Sequence, residues 1–368
     1  MVSSNLLNPM PNKDLRKAVI DLCERVGKPI LKLTKKDYID NDCSSLLETY
    51  GEYSDVNLAV HNDLQNLVTG WPGGRPDDPY DQPFPKRILI FSPHPDDDVI
   101  SMGGTLRRLV RQGHDVHVAY QTSGNIAVNN EEVMRYLLFM RYFSNTFDGL
   151  VNPAFLDFGQ SVKSFVLAEQ TPLDNNLDIL RIKTDIRKNE ACLACAYNGV
   201  AENNIHFLEM PFYESGTVEK LPLSDVDYSI IYSLIDSIHP HQIYMAGDLA
   251  DPHGTHEKCT TAVLKVLDQF RAEDAKWLEN CVVWFYRGAW AEYDWSEIDM
   301  AVPMSPEELL EKRNAILRHH SQMESAPFMG DDNRLFWQRA EDRNRATAVK
   351  FDNLGLICYE AIEAFKRG

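Results

Sequence analysis

Two short stretches of this 368-residue sequence concentrate side chains that bind metal ions and move protons. The first is Ser92-Pro93-His94-Pro95-Asp96-Asp97-Asp98, directly after the apolar run Arg87-Ile88-Leu89-Ile90-Phe91. A dinucleotide-binding turn at such a place would carry glycines, so that backbone N–H groups could approach a pyrophosphate. Three carboxylates instead repel phosphate and attract a cation. Acids at a helix start also cap free N–H groups and suit the positive end of the helix dipole, and Asp98 is expected to do only that. Capping does not account for three acids in a row behind His94, whose flanking prolines stiffen the turn. The second stretch is Gly247-Asp248-Leu249-Ala250-Asp251-Pro252-His253-Gly254-Thr255-His256. His253 and His256, three apart near a helix start, face the same side. Together the stretches supply His, Asp and His from two loops, and three protein ligands with an open fourth position make the pattern of a catalytic zinc site. Such donors also accept Fe, Mn, Co or Ni. His239 and His241, flanking Pro240 before the neighbouring strand, read as structural, as does Cys192-Leu193-Ala194-Cys195 inside a helical pattern.

The elements that must position these residues follow from the apolar patterning. The run at Arg87–Phe91 reads as a parallel strand buried on both faces. A helical pattern over Val99–Gln112, closed by Gly113, leads to a second strand, Asp115–Tyr120, which completes a βαβ unit. The theme recurs with helix 180–199, strand Ile205–Glu209, helix Val226–Ile238, strand Gln242–Met245, helix His256–Phe270 and strand Val282–Tyr286. This alternation predicts an α/β fold: a Rossmann-like, mainly parallel twisted sheet with helices on both faces, whose ligands bind beyond the carboxyl ends of the strands. Helices over 305–321, 334–350 and 355–366 are expected to finish the chain. Residues 126–179 form a long insertion which, with the Trp284–Trp295 segment, is expected to wall the pocket. Residues 1–85 read as an extension that packs on the 86–368 domain, with helices at Asp14–Val26 and around Asn57–Leu67. Its turn-rich Trp71–Pro79 loop is expected near the site mouth, because Trp71 is costly to expose.

Bulk properties exclude several function classes. A formal charge of −18 opposes nucleic-acid binding, which needs a dense basic surface, and docking on anionic membranes. No apolar run approaches a membrane span. Seven scattered cysteines fit reduced thiols, and Met1–Lys17 lacks the apolar core of a signal peptide, so a cytoplasmic location is expected. Assembly into a homo-oligomer is left open by the sequence.

His94-Pro95-Asp96-Asp97 with His253-x-x-His256 resembles the PIG-L/LmbE-like family of zinc-dependent N-deacetylases. Thr122-Ser123-Gly124-Asn125, Arg187-x-x-Glu190, Lys312-x-x-Ala315 and His319-x-Ser321-Gln322 match further family features, and the likeness covers roughly residues 86–325. It implies metal ligands at His94, Asp97 and His256, a general base at Asp96 and an oxyanion-stabilising histidine at His253. Two departures stand out: Asp98 where Glu is usual, and Thr255 where His-Pro-Asp-His is the common form. The stretches Thr69–Gly74, Ser92–Gly104 and Met304-Ser305-Pro306 onward are similar to the deacetylase-like region fused behind some bacterial glucosamine-6-phosphate deaminases; no deaminase part is expected within these residues. The resemblance therefore implies removal of an N-acetyl group from an amino sugar, N-acetylglucosamine or its 6-phosphate. Asn125, Arg187, Arg287 and Trp290 are candidate substrate contacts. Two rivals are a hydrolase of another amide or ester, and a non-catalytic amino-sugar-sensing or scaffold module.

Overall fold

The computed structural model describes residues 13–147, 152–167, 177–213, 220–247, 254–288, 291–323 and 334–368. In chain order the elements are α1 (Lys13–Val26), α2 (Lys35–Asp40), α3 (Ser44–Tyr50), α4 (Tyr53–Leu67), β1 (Arg87–Ser92), α5 (Asp97–Arg111), β2 (Asp115–Tyr120), α6 (Asn130–Thr146), α7 (Pro153–Leu167), α8 (Leu177–Asn198), β3 (Ile205–Phe207), α9 (Asp225–Ile238), β4 (Gln242–Ala246), α10 (Thr255–Ala272), β5 (Val282–Tyr286), β6 (Met300–Met304), α11 (Pro306–Ile316), α12 (Phe336–Asn353) and β7 (Ala361–Arg367). The strands form one sheet in the order β3-β2-β1-β4-β5-β7-β6. β1 to β5 run parallel, and β7 runs antiparallel to both its neighbours. The 3-2-1-4-5 portion is the Rossmann-like order, with its topological switch between β1 and β4.

Alternation along the central strands explains their continuous apolar runs. Leu89, Phe91, Ile243 and Met245 pack on one face with residues of α9 and α10, such as Ile235 and Val263. Ile88, Ile90 and Tyr244 pack on the other with Met102 and Leu106 of α5 and Cys195 of α8. Both faces are thus covered, as a parallel sheet requires. None of the described helices is long and apolar enough to cross a membrane.

Several expectations need correction. The segment expected as a helix over 355–366 contains strand β7 instead. Ala361-Ile362-Glu363-Ala364-Phe365 is made largely of helix formers, but helix propensity is worth only tenths of a kcal/mol per residue. Alternation on a sheet outweighs it here: Ile362 and Ala364 join one core cluster, while Phe365 joins the cluster on the opposite face. β6 and the short helices α2 and α3 were not expected, and α11 stops at Ile316, short of the expected 321.

The Trp71–Pro79 loop lies at the amino ends of the strands, away from the crevice. The Gly70 and Pro72 carbonyls accept from Gln112 Nε2 at 2.7 Å and Gln242 Nε2 at 3.1 Å. Gly73 abuts the His114 ring, where a Cβ would come within 2.1 Å of Nε2. Trp71 stays 39% exposed; the loop is fixed there by its carbonyls, not by burial of the indole. Upstream, Val19, Ile20, Val60 and Leu64 of α1 and α4 share a cluster with Ala301, Phe351 and Ile362, and Val68 bridges Ala301. In the insertion, Val133 of α6 and Val162 of α7 pack on Ile179 and Ile186 of α8.

Candidate metal centre

The switch in strand order opens a crevice beyond the carboxyl ends of β1 and β4. Both chemistry-bearing stretches reach it. His94, Asp96 and Asp97 lie on the turn from β1 into α5, and His256 lies in the first turn of α10. Asp97 Oδ2 is 3.2 Å from His94 Nδ1 and 3.3 Å from His256 Nε2, and it accepts the His94 backbone N–H at 2.9 Å. One donor atom from each of the three residues lies within 4.8 Å of the others. Burial, which disfavours a charged ring, outweighs Asp97 and lowers the His94 pKa, leaving an imidazole able to offer a lone pair. Burial also works against ionisation of Asp97, but His256 and His94 overcome it and hold the carboxyl well below its usual range. One carboxylate with two imidazoles is a donor set that fits a divalent transition ion.

Asp96 is the N-cap of α5 and has φ 127°, a conformation that non-glycine residues rarely adopt. This turn parts the two adjacent carboxylates. Asp97 meets the histidines, whereas Asp96 Oδ2 meets Arg187 Nη2 at 3.3 Å. Burial pushes the Asp96 carboxyl up to about 7 against the pull of Arg187, with the charges of Asp97 and Asp98 adding to the rise. A carboxyl that titrates near neutrality suits proton transfer in both directions.

Arg187 supports this turn. It is buried under it and also donates to the Pro95 carbonyl. Gly124, with φ +64, leaves the space it occupies: a Cβ there would lie 3.1 Å from Arg187 Nε. The expected role for Arg187 as a substrate contact is therefore corrected to one beneath the site. Asn125 is likewise buried, donating to Thr184 Oγ1 at 3.1 Å and tying the loop after β2 to α8. Arg287 lies over the Tyr293 ring at 4.8 Å. His253 and Trp290 lie outside the described residues.

Asp98 does more than cap a helix. It is fully buried, accepts from Tyr120 Oη at 3.1 Å, and its N–H donates to Ser92 Oγ at 3.1 Å, so it ties β1, β2 and α5 together. Burial moves its carboxyl up to about 6, although the Tyr120 hydroxyl pulls the other way.

The sequence marks His319 only as part of the His-x-Ser-Gln motif. It is fully buried, and burial followed by the Arg187 charge keeps the ring neutral. Among the described residues neither of its ring nitrogens has a partner. Its neighbour Ser321 donates through N–H and Oγ to the Glu190 carboxylate at 2.6 and 2.7 Å. Arg187 and Glu190 share a face of α8 because they are three apart. The Arg-x-x-Glu and His-x-Ser-Gln spacings were the available signal, and their contact joins α8 to the segment after α11.

Residues 89–267 match the family described as PIG-L, GlcNAc-PI de-N-acetylase. Over 360 residues the chain is 54% identical to a protein from Bacteroides thetaiotaomicron named glucosamine-6-phosphate deaminase-like, a match covering 96% of this chain and 54% of that protein. The chain thus spans about half the length of this curated relative. A local match, 38% identical over 56 residues, covers 15% of this chain and 21% of a diacetylchitobiose deacetylase from Thermococcus kodakarensis. Among solved structures, the N,N'-diacetylchitobiose deacetylase of Pyrococcus horikoshii aligns with a TM-score of 0.47 at 18% identity, over 77% of this chain and 84% of that one.

Proposed function

We propose, from the match of residues 89–267 to the PIG-L family, that this chain is a metal-dependent N-deacetylase that removes the acetyl group of an amino sugar. The substrates to test first are N-acetylglucosamine and its 6-phosphate, because the 54%-identical relative is named for amino-sugar phosphate chemistry. The observation that carries the reading is the meeting of His94, Asp97 and His256 within 4.8 Å, beside a separate carboxyl whose burial raises it to about 7.

His94, Asp97 and His256 would hold the ion, and zinc is the ion that the family resemblance implies. When bound, it supplies Lewis-acid polarisation of the amide carbonyl and acidifies water. Asp96 is the general base: its carboxylate takes a proton from the attacking water and passes it to the departing nitrogen. Arg187 serves that cycle from beneath, because its cation opposes the burial that would otherwise keep Asp96 protonated. His253 is assigned the oxyanion, as the family resemblance implies. Products are acetate and a free amine.

Elemental analysis of the purified protein is expected to find one transition ion per chain, with most of it lost from His256→Ala. Full occupancy in that variant would refute the ligand set. Acetate release from N-acetylglucosamine and its 6-phosphate, with and without chelator, tests the activity. Tight binding of a sugar without turnover would favour the sensing role.

A further inference from the structure

α5, the helix that begins with Asp97, is broken at Met102, whose φ −139° and ψ 27° are not helical. The turn Asp97–Ser101 is therefore a separate piece, bounded by strained Asp96 on one side and this break on the other. A break inside a helix releases carbonyls from the first piece and N–H groups from the second, and buried groups of this kind must find partners. Met102 occupies the N-cap position of the second piece but has no side-chain oxygen to accept these N–H groups.

The partners come from the end of the chain. Glu363 on β7 accepts the Gly104 N–H at 3.0 Å, the Thr105 N–H at 2.7 Å and the Thr105 hydroxyl at 2.6 Å. These are the amides that a local N-cap would bind. Lys312 Nζ donates to the same carboxylate at 2.6 Å and to Asn344 Oδ1 at 2.8 Å, so this buried charge is paired. On the other side, Arg343 of α12 donates to the Ser101 carbonyl at 3.3 Å and to the Arg287 carbonyl at 2.8 Å. The anion thus meets the positive end of the second piece and the cation the negative end of the first, the favourable sense for both dipoles. Gly104 allows the approach: a Cβ there would lie 2.3 Å from Met304 Sδ and 3.4 Å from Glu363 Oε1.

We propose that Glu363 and Arg343 are positioning residues for the metal centre, holding the break at Met102 from both sides and so aiming the turn that carries Asp97. The inference rests on the metal-centre reading above. Neither residue touches the ligands; each acts through the backbone of α5.

Cobalt(II) alone is the probe, because its visible absorption reports ligand geometry. Glu363→Asp keeps the charge opposite Lys312 but shortens the reach to the two amides by one methylene. Arg343→Lys keeps the charge but cannot bridge the Ser101 and Arg287 carbonyls together. Both are expected to weaken cobalt binding roughly tenfold or more, the usual range for residues that orient ligands, and to shift the visible bands while the circular dichroism stays native. Thr105→Val, which removes the hydroxyl bond and leaves both capped amides, is expected to bind as wild type does. Folded Glu363→Asp or Arg343→Lys with wild-type affinity and spectrum would overturn the proposal. If one variant does not fold, the other decides. Wild-type protein that binds no cobalt would instead contradict the metal-centre reading.

Discussion

Asp96 and Asp97 are neighbours in sequence with opposite electrostatic fates. Burial raises Asp96 to about 7, whereas the two histidines hold Asp97 well below its usual range. Replacing Asp96 with Asn is expected to leave the ion bound and lower turnover by roughly 10²–10⁴, the usual worth of a general base; near-normal turnover with metal intact would remove Asp96 from that role. The same variant carries a stability signature. The folded state raises the Asp96 pKa above its ordinary 3.8, so between about pH 4 and pH 7 the native protein binds more protons here than the unfolded chain does. Asp96 therefore costs progressively more stability as pH rises through that window. In chelator-treated protein, Asp96→Asn is expected to melt at a higher temperature than wild type at pH 8, with the gap closing by pH 4. Comparing the two proteins cancels the buried histidines, whose effect on stability has the opposite sign. A melting difference that does not change with pH would mean that Asp96 is not held in a proton-retaining environment.

At the scale of elements, the strand-helix alternation and the position of the crevice were legible because both follow from local apolar runs and from the rule that parallel sheets bind ligands at carboxyl ends. His94, Asp97 and His256 are brought together because β1 and β4 are adjacent strands, a neighbourhood set by the switch in strand order and not by the sequence of βαβ units. What was not legible depends on contacts distant in sequence. β7 reads locally as a helix and becomes a strand only because β5 and β6 offer edges on both sides. The break in α5 has a local hint, Gly103-Gly104, but its caps come from Glu363 and Arg343, about 240 residues or more away. Arg187 reads from the sequence as a candidate substrate contact with a structural role favoured; only the fold sets it under Pro95 and Asp96. Gly247, the first residue after β4, tests how tightly this end of the sheet is built. A Cβ there would lie 2.2 Å from Tyr293 Oη and 2.8 Å from Phe285 Cβ. Gly247→Ala is expected to destabilise by about 1–3 kcal/mol through overpacking, measured by urea unfolding; an unchanged midpoint would show that the strand end can yield.

On the scale of the whole molecule, residues 13–69 complete the core over β6 and β7. Val19, Ile20, Val60 and Leu64 cover Ala301, Phe351 and Ile362, so their loss would expose an apolar face of the kind that folded monomers avoid. The loop over 70–85 is the accessible connection. Limited proteolysis is expected to cut there and leave both pieces together on gel filtration. A trimmed domain that elutes alone, soluble and active, would show that the amino-terminal helices are dispensable.

Acetate release decides whether these residues form a metal-dependent N-deacetylase. Wild-type and Asp96→Asn proteins, each loaded with zinc, would be assayed on N-acetylglucosamine, its 6-phosphate and diacetylchitobiose. Wild-type protein is expected to release acetate from at least one sugar, with release abolished by chelator, restored by metal and reduced by roughly 10²–10⁴ in the variant. Metal-loaded wild-type protein that releases acetate from none of them, or cleaves simple esters or phosphoesters faster, would contradict the N-deacetylase reading.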